Sequence, residues 1–166
     1  MSGAEERPEI VDPDDDPGDA AERPEAGGPG RGPVPVLVAV AVGGVVGAEA
    51  RYGLSLALPH APGAWPWSTL LVNASGCVLI GVLMVLVTER VRVHPLTRPL
   101  LGVGVLGGYT TFSSYAVDVV GLVGAGRVVP AAGYAVATPL LALLAVAVGV
   151  WLTRRATARW SAGERR

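Results

Sequence analysis

Four long apolar segments, at roughly residues 34–58, 67–88, 99–123 and 131–152, decide what this chain can become. Each is about as long as the ~20 residues a helix needs to cross the hydrocarbon core of a bilayer. The connectors between them are short: "PHAPGAWP", "ERVRVHPLTR" and "GAGRVVP". A soluble helical bundle would need a polar stripe along each helix, and the second and fourth segments have none. Trp65 and Trp67 stand at the start of the second segment and Trp151 near the end of the fourth, where interfacial aromatics anchor a span. The expected fold is an all-α membrane protein with four transmembrane helices, multi-pass in the cell membrane.

The start of the chain differs in kind. Ten of the fourteen acids fall in the first 25 residues, among prolines and glycines and with almost nothing apolar. Such a segment cannot bury a core, so residues 1–33 are expected to form a disordered acidic tail. It lacks the basic start and apolar stretch of a signal peptide, and no cleavage by signal peptidase is expected. The membrane domain then runs over 34–153, and 154–166 is a basic C-terminal tail. Cys77 is the single cysteine, which excludes an intramolecular disulfide and a cysteine metal cluster. All thirteen basic residues are arginine, which reads as the codon bias of a GC-rich genome and not as function.

Four spans put the N-terminus, the second connector and the C-terminus on one side of the membrane. Eight arginines flank that side (Arg23, Arg31, Arg90, Arg92, Arg98, Arg154, Arg155 and Arg159), against Arg127 alone on the other. Flanking arginines favour the cytoplasmic side and acids count for little, so both termini are predicted in the cytoplasm, in a single orientation.

Polar groups at membrane depth are costly and point to function by default. In the first span Glu49 and Arg51 are two apart and so project from different helix faces. Both lie towards its far end, where a long side chain can snorkel. Gly43, Gly44 and Gly47 form a small-residue face suited to close helix packing. In the second span Thr69 and Asn73 share a face, which Gly76 and Cys77 continue. An amide there either bonds across a helix interface or points into a wet cavity. Tyr134 and Thr138 repeat the spacing in the fourth span, and Pro139 follows. A helical proline frees a carbonyl for a hydroxyl, a water or a neighbouring helix to satisfy.

The third span holds the strangest stretch, "GGYTTFSSYAVD", Gly107 to Asp118. Gly102, Gly104, Gly107 and Gly108 weaken a helix, and the residues of "TTFSS" compete for backbone bonds. A break in the third helix is expected here. Non-helical backbone at membrane depth is tolerated only inside protein or beside water. Its carbonyls could hold a cation, and half-helix N-termini could face an anion. Phe112 and Tyr115 are three apart and share a face on a resumed helix, with ring edges of positive potential.

Three stretches, "GGVVGAEARYGL" (43–54), "STLLVNASGCVLIG" (68–81) and "GGYTTFSSYAVD" (107–118), in this order and spacing, resemble the fluoride channel family, Fluc or CrcB. The resemblance covers residues 36 to 152, with the fourth span agreeing loosely through Tyr134 and Thr138. It implies four-span subunits paired antiparallel, in dual-topology fashion, as dimers with two fluoride pores. It also implies a structural, untransported Na⁺ at the dimer centre, held by backbone carbonyls that fall on Gly107 and Thr110. Two carbonyls from each of two chains would give a hard cation oxygen ligands. The implied fluoride pathway is lined by Asn73, Phe112 and Tyr115 and by the hydroxyls of Thr69, Ser113 and Thr138, with Arg51 at a vestibule. Asp118 matches an acidic position to which no role is assigned.

The implied function is passive export of F⁻, driven by an inside-negative potential after uncharged HF has leaked in, which lowers cytoplasmic fluoride toxicity. Fluoride is strongly hydrated, so the pore must replace its water with hydrogen-bond donors and positive ring edges. No bond is made or broken, and no enzyme is expected. The expected partners are fluoride, the lipid bilayer and a second subunit, with no nucleic acid. Two features depart from the family pattern. Its second aromatic is usually phenylalanine, and here it is Tyr115; a ring-edge role predicts that Tyr115→Phe keeps efflux. The arginine bias argues for one fixed orientation, whereas an antiparallel homodimer needs copies inserted both ways. The second subunit can then be an oppositely oriented paralogue, giving a heterodimer. The alternative function is a small four-span proton-coupled multidrug or cation exporter, with Glu49 carrying the proton. Glu49 sits late in its span beside Arg51, and that reading gives no reason for "TTFSSY".

Overall fold

Proline opens the first helix, where its missing N–H has no helical partner to lose. A computed structural model describes residues 32–61, 63–90 and 94–163. The disorder expected of the acidic tail, and Arg23, Arg31 and Arg92 of the arginine count, lie outside these residues. Helix α1 (Pro33–Ala57) has 25 residues, a length of about 37 Å against a hydrocarbon core of roughly 30 Å. Helix α2 (Trp67–Val85) runs on through a wider π-type turn, Leu86–Arg90. A π-type helix, Arg98–Leu106, again has proline near its start and leads directly into α3 (Gly107–Tyr109). Thr110 and Thr111 then adopt extended backbone, with ψ of 156° and 125°. Helix α4 (Phe112–Gly124) starts afresh, with Thr111 as its N-cap. Helix α5 (Val128–Gly163) has 36 residues, about 54 Å, and so outruns a bilayer core.

Among the described residues there is no strand. Three helical stretches, Pro33–Ala57, Trp67–Glu89 and Val128–Ala158, are long and apolar enough to cross a membrane. Their large apolar side chains, Leu37, Val45, Leu143 and Leu144 among them, point outward. Among the described residues one small core cluster is enclosed, Leu70, Leu122, Ala131 and Tyr134, with Trp65, Tyr115 and Val119 against it. Val72, Val85, Val87, Leu106 and Ala145 are buried elsewhere. A chain that covers so little of its apolar surface is suited to hydrocarbon as solvent.

The helices pair through close backbone approach. Helix α1 packs on Arg98–Leu106 and α3, while α2 and α4 pack on α5. Gly43 faces Gly104, Gly108 faces the Gly44 backbone, and Gly47 packs on the backbone of Val105 and Tyr109. A Cβ on Gly43 would lie 2.9 Å from the Val105 amide nitrogen, and one on Gly47 would lie 2.7 Å from that of Tyr109. Only glycine lets these backbones touch, as in small-residue interfaces of membrane helices. Gly81 and Gly149 play the same part between α2 and α5, where a Cβ on Gly81 would lie 2.9 Å from the Val150 nitrogen.

Two sets of contacts define the ends of the bundle. Arg127 Nη1 donates to the Gly63 carbonyl at 2.5 Å, which ties the α4–α5 connector to the α1–α2 connector. At the other end Arg154 pairs with Glu89, and Arg98 Nη2 reaches the Val87 carbonyl at 3.5 Å. Arg98 and Arg154 therefore share one end, and Arg127 lies at the opposite one.

Candidate functional site

The extended pair Thr110–Thr111 is held from across the bundle. Asn73 on α2 donates through Nδ2 to the Thr111 carbonyl at 2.9 Å and accepts the Thr111 N–H at 2.8 Å through Oδ1. One side-chain amide thus replaces both backbone partners of a residue outside the helical ladder. Asn73 therefore bonds across the helix interface, and it also lines one of two cavities that meet at Thr111. Its amide carries two hydrogens, and one of them remains for another acceptor. Thr111 Oγ1 accepts the Ser114 N–H at 3.1 Å, capping α4, and lies 3.2 Å from Ser113 Oγ and 3.1 Å from Ser114 Oγ.

These bonds leave two carbonyls behind. In an unbroken helix the Thr111 N–H would serve the Gly107 carbonyl and the Ser114 N–H would serve that of Thr110. Both amides are engaged elsewhere, by Asn73 and by the Thr111 side chain. Thr110 N and Oγ1 both donate to the Leu106 carbonyl, each at 2.9 Å. Gly76 on α2 makes room for the turn, since a Cβ there would meet Thr110 Cγ2 and lie 3.2 Å from Tyr109 Cδ1. Among the described residues no group of three or more His, Cys, Asp or Glu could hold a metal ion. The oxygens present at this turn are backbone carbonyls and the hydroxyls of Thr110, Thr111, Ser113 and Ser114.

Two cavities meet at Thr111. The first, of ≈ 200 Å³, is lined by Arg51, Ser55, Ser68 and Thr69 with Thr111 and Ser114 among others. The second, of ≈ 410 Å³, brings together Asn73, Thr110, Phe112, Tyr115, Thr138 and Pro139. Each holds a buried donor with no hydrogen-bond partner, Arg51 Nε in the first and Thr138 Oγ1 in the second. Gly107 and Ser113 line neither, and both are exposed. Glu49 is also exposed and lines neither.

Aromatic rings form a continuous ladder beside the second cavity. Phe112 and Tyr115 lie 5.5 Å apart, Tyr115 and Tyr134 5.6 Å, and Tyr134 and Trp65 5.5 Å. Phe112 is 79% exposed, whereas Tyr134 is fully buried. The Tyr115 hydroxyl donates to the Ala135 carbonyl of α5 at 2.7 Å. Asp118 accepts from the Tyr134 hydroxyl at 3.4 Å and lies 3.7 Å from His60 Nε2. Sequence reasoning passed over Thr111 and Ser114, although their three-residue spacing is that of a cap and its amide. Ser55, Ser68 and His60 carried no comparable signal.

Residues 38–150 match the family model described as CrcB-like protein, Camphor Resistance (CrcB). The chain belongs to the CrcB family. The matched stretch contains the Asn73 clamp and the whole lining of both cavities. Relatives of this CrcB chain include the "Fluoride-specific ion channel FluC 1" of Streptomyces coelicolor, 52% identical over 121 residues, which cover 73% of this chain and 79% of the relative. The "Fluoride-specific ion channel FluC 2" of Nocardia farcinica is 47% identical over 131 residues, 79% of this chain and 90% of the relative. The "Fluoride-specific ion channel FluC" of Chloroflexus aurantiacus is 39% identical over 119 residues, 71% and 94% respectively. By name these CrcB relatives are channels, transporters rather than enzymes.

Proposed function

We propose that this chain is a fluoride channel that lets F⁻ leave the cell passively. One observation carries the reading: two cavities meet at Thr111, each with a buried, unpartnered donor, in a chain 52% identical to a protein named for fluoride conduction. A small, strongly hydrated anion needs donors to replace its water. The chain offers the second Nδ2 hydrogen of Asn73, the hydroxyls of Thr69, Ser113 and Thr138, and the ring edges of Phe112 and Tyr115. Arg51 adds positive charge to the cavity it lines. An inside-negative potential drives an anion outward with about 2.3 kcal/mol per 100 mV.

In the same reading the third of four spans is broken at Thr110 and Thr111, and two subunits pair antiparallel around a structural Na⁺. The Gly107 and Thr110 carbonyls suit that ion, because the amides that would cover them are engaged elsewhere. Oxygen from two subunits would make a hard-cation site and add fixed positive charge near the anion path. The exposure of Phe112 and the open space around Gly107 favour a face completed by a second subunit. Arg98 and Arg154 mark the cytoplasmic end, with both chain termini on that side. A single orientation makes the partner an oppositely oriented paralogue.

Fluoride-electrode recordings from liposomes test the function. The reconstituted protein, alone or with a co-expressed paralogue, is expected to release F⁻, while chloride-loaded liposomes read with a silver chloride electrode stay silent. Release of neither ion from either preparation would overturn the proposal. Stable, conducting dimers from this chain alone would defeat the paralogue, and reporter fusions at both termini test the sidedness. Replacing Na⁺ with N-methylglucamine is expected to loosen the dimer on size exclusion, and an unchanged dimer would count against the ion.

A further inference from the structure

A helical carbonyl accepts the N–H of the residue four places ahead. For Ala135 that residue is Pro139, inside α5, which has no N–H to give. The Tyr115 hydroxyl of α4 donates to this carbonyl at 2.7 Å. The Thr138 hydroxyl, next to the proline, has no hydrogen-bond partner, so it is not the group that serves Ala135. Tyr115 is half-buried against the core of Leu70, Leu122, Ala131 and Tyr134, and it lines the same cavity as Pro139.

We propose that Tyr115 and Pro139 form one coupled device. Pro139 opens the hydrogen-bond ladder of α5, and the Tyr115 hydroxyl closes it from α4. Two consequences follow for the anion path, and these rest on the fluoride-channel reading. The single proton of the Tyr115 hydroxyl is committed to Ala135, so this residue meets an anion with its ring edge and not with its O–H. The same bond masks an acceptor oxygen whose bare dipole would repel an anion beside the cavity. Tyr115 is therefore a positioning residue, and its hydroxyl is required by Pro139 and not by the ion.

The test is a double-mutant cycle of Tyr115→Phe and Pro139→Ala, read by fluoride efflux from liposomes and by thermal unfolding in detergent. A ring-edge role by itself predicts that Tyr115→Phe keeps efflux. That substitution also leaves a buried acceptor unpaired, so the device predicts instead a fall in efflux of about tenfold and in the midpoint of about 2–12 °C. Pro139→Ala restores the amide, so on that background Tyr115→Phe is expected to change efflux less than about twofold. Unchanged efflux and midpoint in Tyr115→Phe alone would overturn the device and leave only a ring-edge role. Equal losses on both backgrounds would also overturn it. The unfolding cycle does not depend on the transported ion, so it still decides the coupling if the unsubstituted protein carries no fluoride. Should Pro139→Ala fail to fold, Pro139→Ser restores the same amide and takes its place.

Discussion

Truncating Asn73 separates a clamp on the backbone from a donor to the ion. Asn73→Ala leaves the Thr111 N–H and carbonyl, now bonded at 2.8 and 2.9 Å, without their side-chain partner. An unpaired buried backbone group costs about 1–3 kcal/mol, whereas polar contacts measured inside membranes average about 0.6 kcal/mol. Two such bonds bracket the loss between about 1 and 6 kcal/mol. For a chain of this size each kcal/mol moves the midpoint by roughly 2–4 °C, so a fall of at least a few degrees is expected. Asn73→Asp is also expected to lose stability, because an ionised carboxylate still accepts the Thr111 N–H but sets a charged oxygen with no proton against the Thr111 carbonyl. The assay is thermal unfolding in detergent, scored by the monodisperse peak on size exclusion, alongside efflux per mole of folded protein. Stability and efflux should fall together. Loss of efflux with an unmoved midpoint would refute the clamp and return Asn73 to the role of a simple pore donor.

Three further outcomes follow from the same contacts. Gly47→Ala places a methyl against the Val105 carbonyl and 2.7 Å from the Tyr109 nitrogen, while a Cβ on Gly44 meets nothing within 4 Å; the first should abolish the monodisperse peak and the second should preserve it, and similar yields would refute the packing. Thr138→Val removes a buried hydroxyl that has no partner at nearly constant shape, so the midpoint should stay or rise while efflux falls; unchanged efflux would remove Thr138 from the path. Thr111→Ala deletes the cap of α4 and should cost about 1 kcal/mol in unfolding measurements, which Thr111→Ser should largely recover; equal losses in the two variants would refute the cap.

What the sequence could announce here, and what it could not, divides along the range of each interaction. The span starts at about 34 and 99 were legible from the apolar runs, and the helices begin there with proline in the first turn, at Pro33 and Pro99. The widening at Leu86–Arg90 and Arg98–Leu106 was not, because an apolar run reads the same whether its bonds span four or five residues. Nor was the persistence of α5 to Gly163, since Arg154, Arg155 and their neighbours mark an exit from the hydrocarbon but remain good helix formers. The glycines and hydroxyls around Thr110 and Thr111 named the unusual turn, and Pro139 announced a freed carbonyl, but neither could name its partner. Lipid tails are as apolar as the side chains they meet, so burial discriminates little between one helix pairing and another. Discrimination falls instead to glycine-sized approaches and to hydrogen bonds between distant residues: Asn73 with Thr111, Tyr115 with Ala135, Tyr134 with Asp118, Arg127 with Gly63. All four join residues at least 16 positions apart, beyond the reach of any helical periodicity. Each residue type could therefore be picked out as costly and in need of a partner, while the pairing that turns the cost into a held turn or a masked carbonyl exists only in the folded bundle.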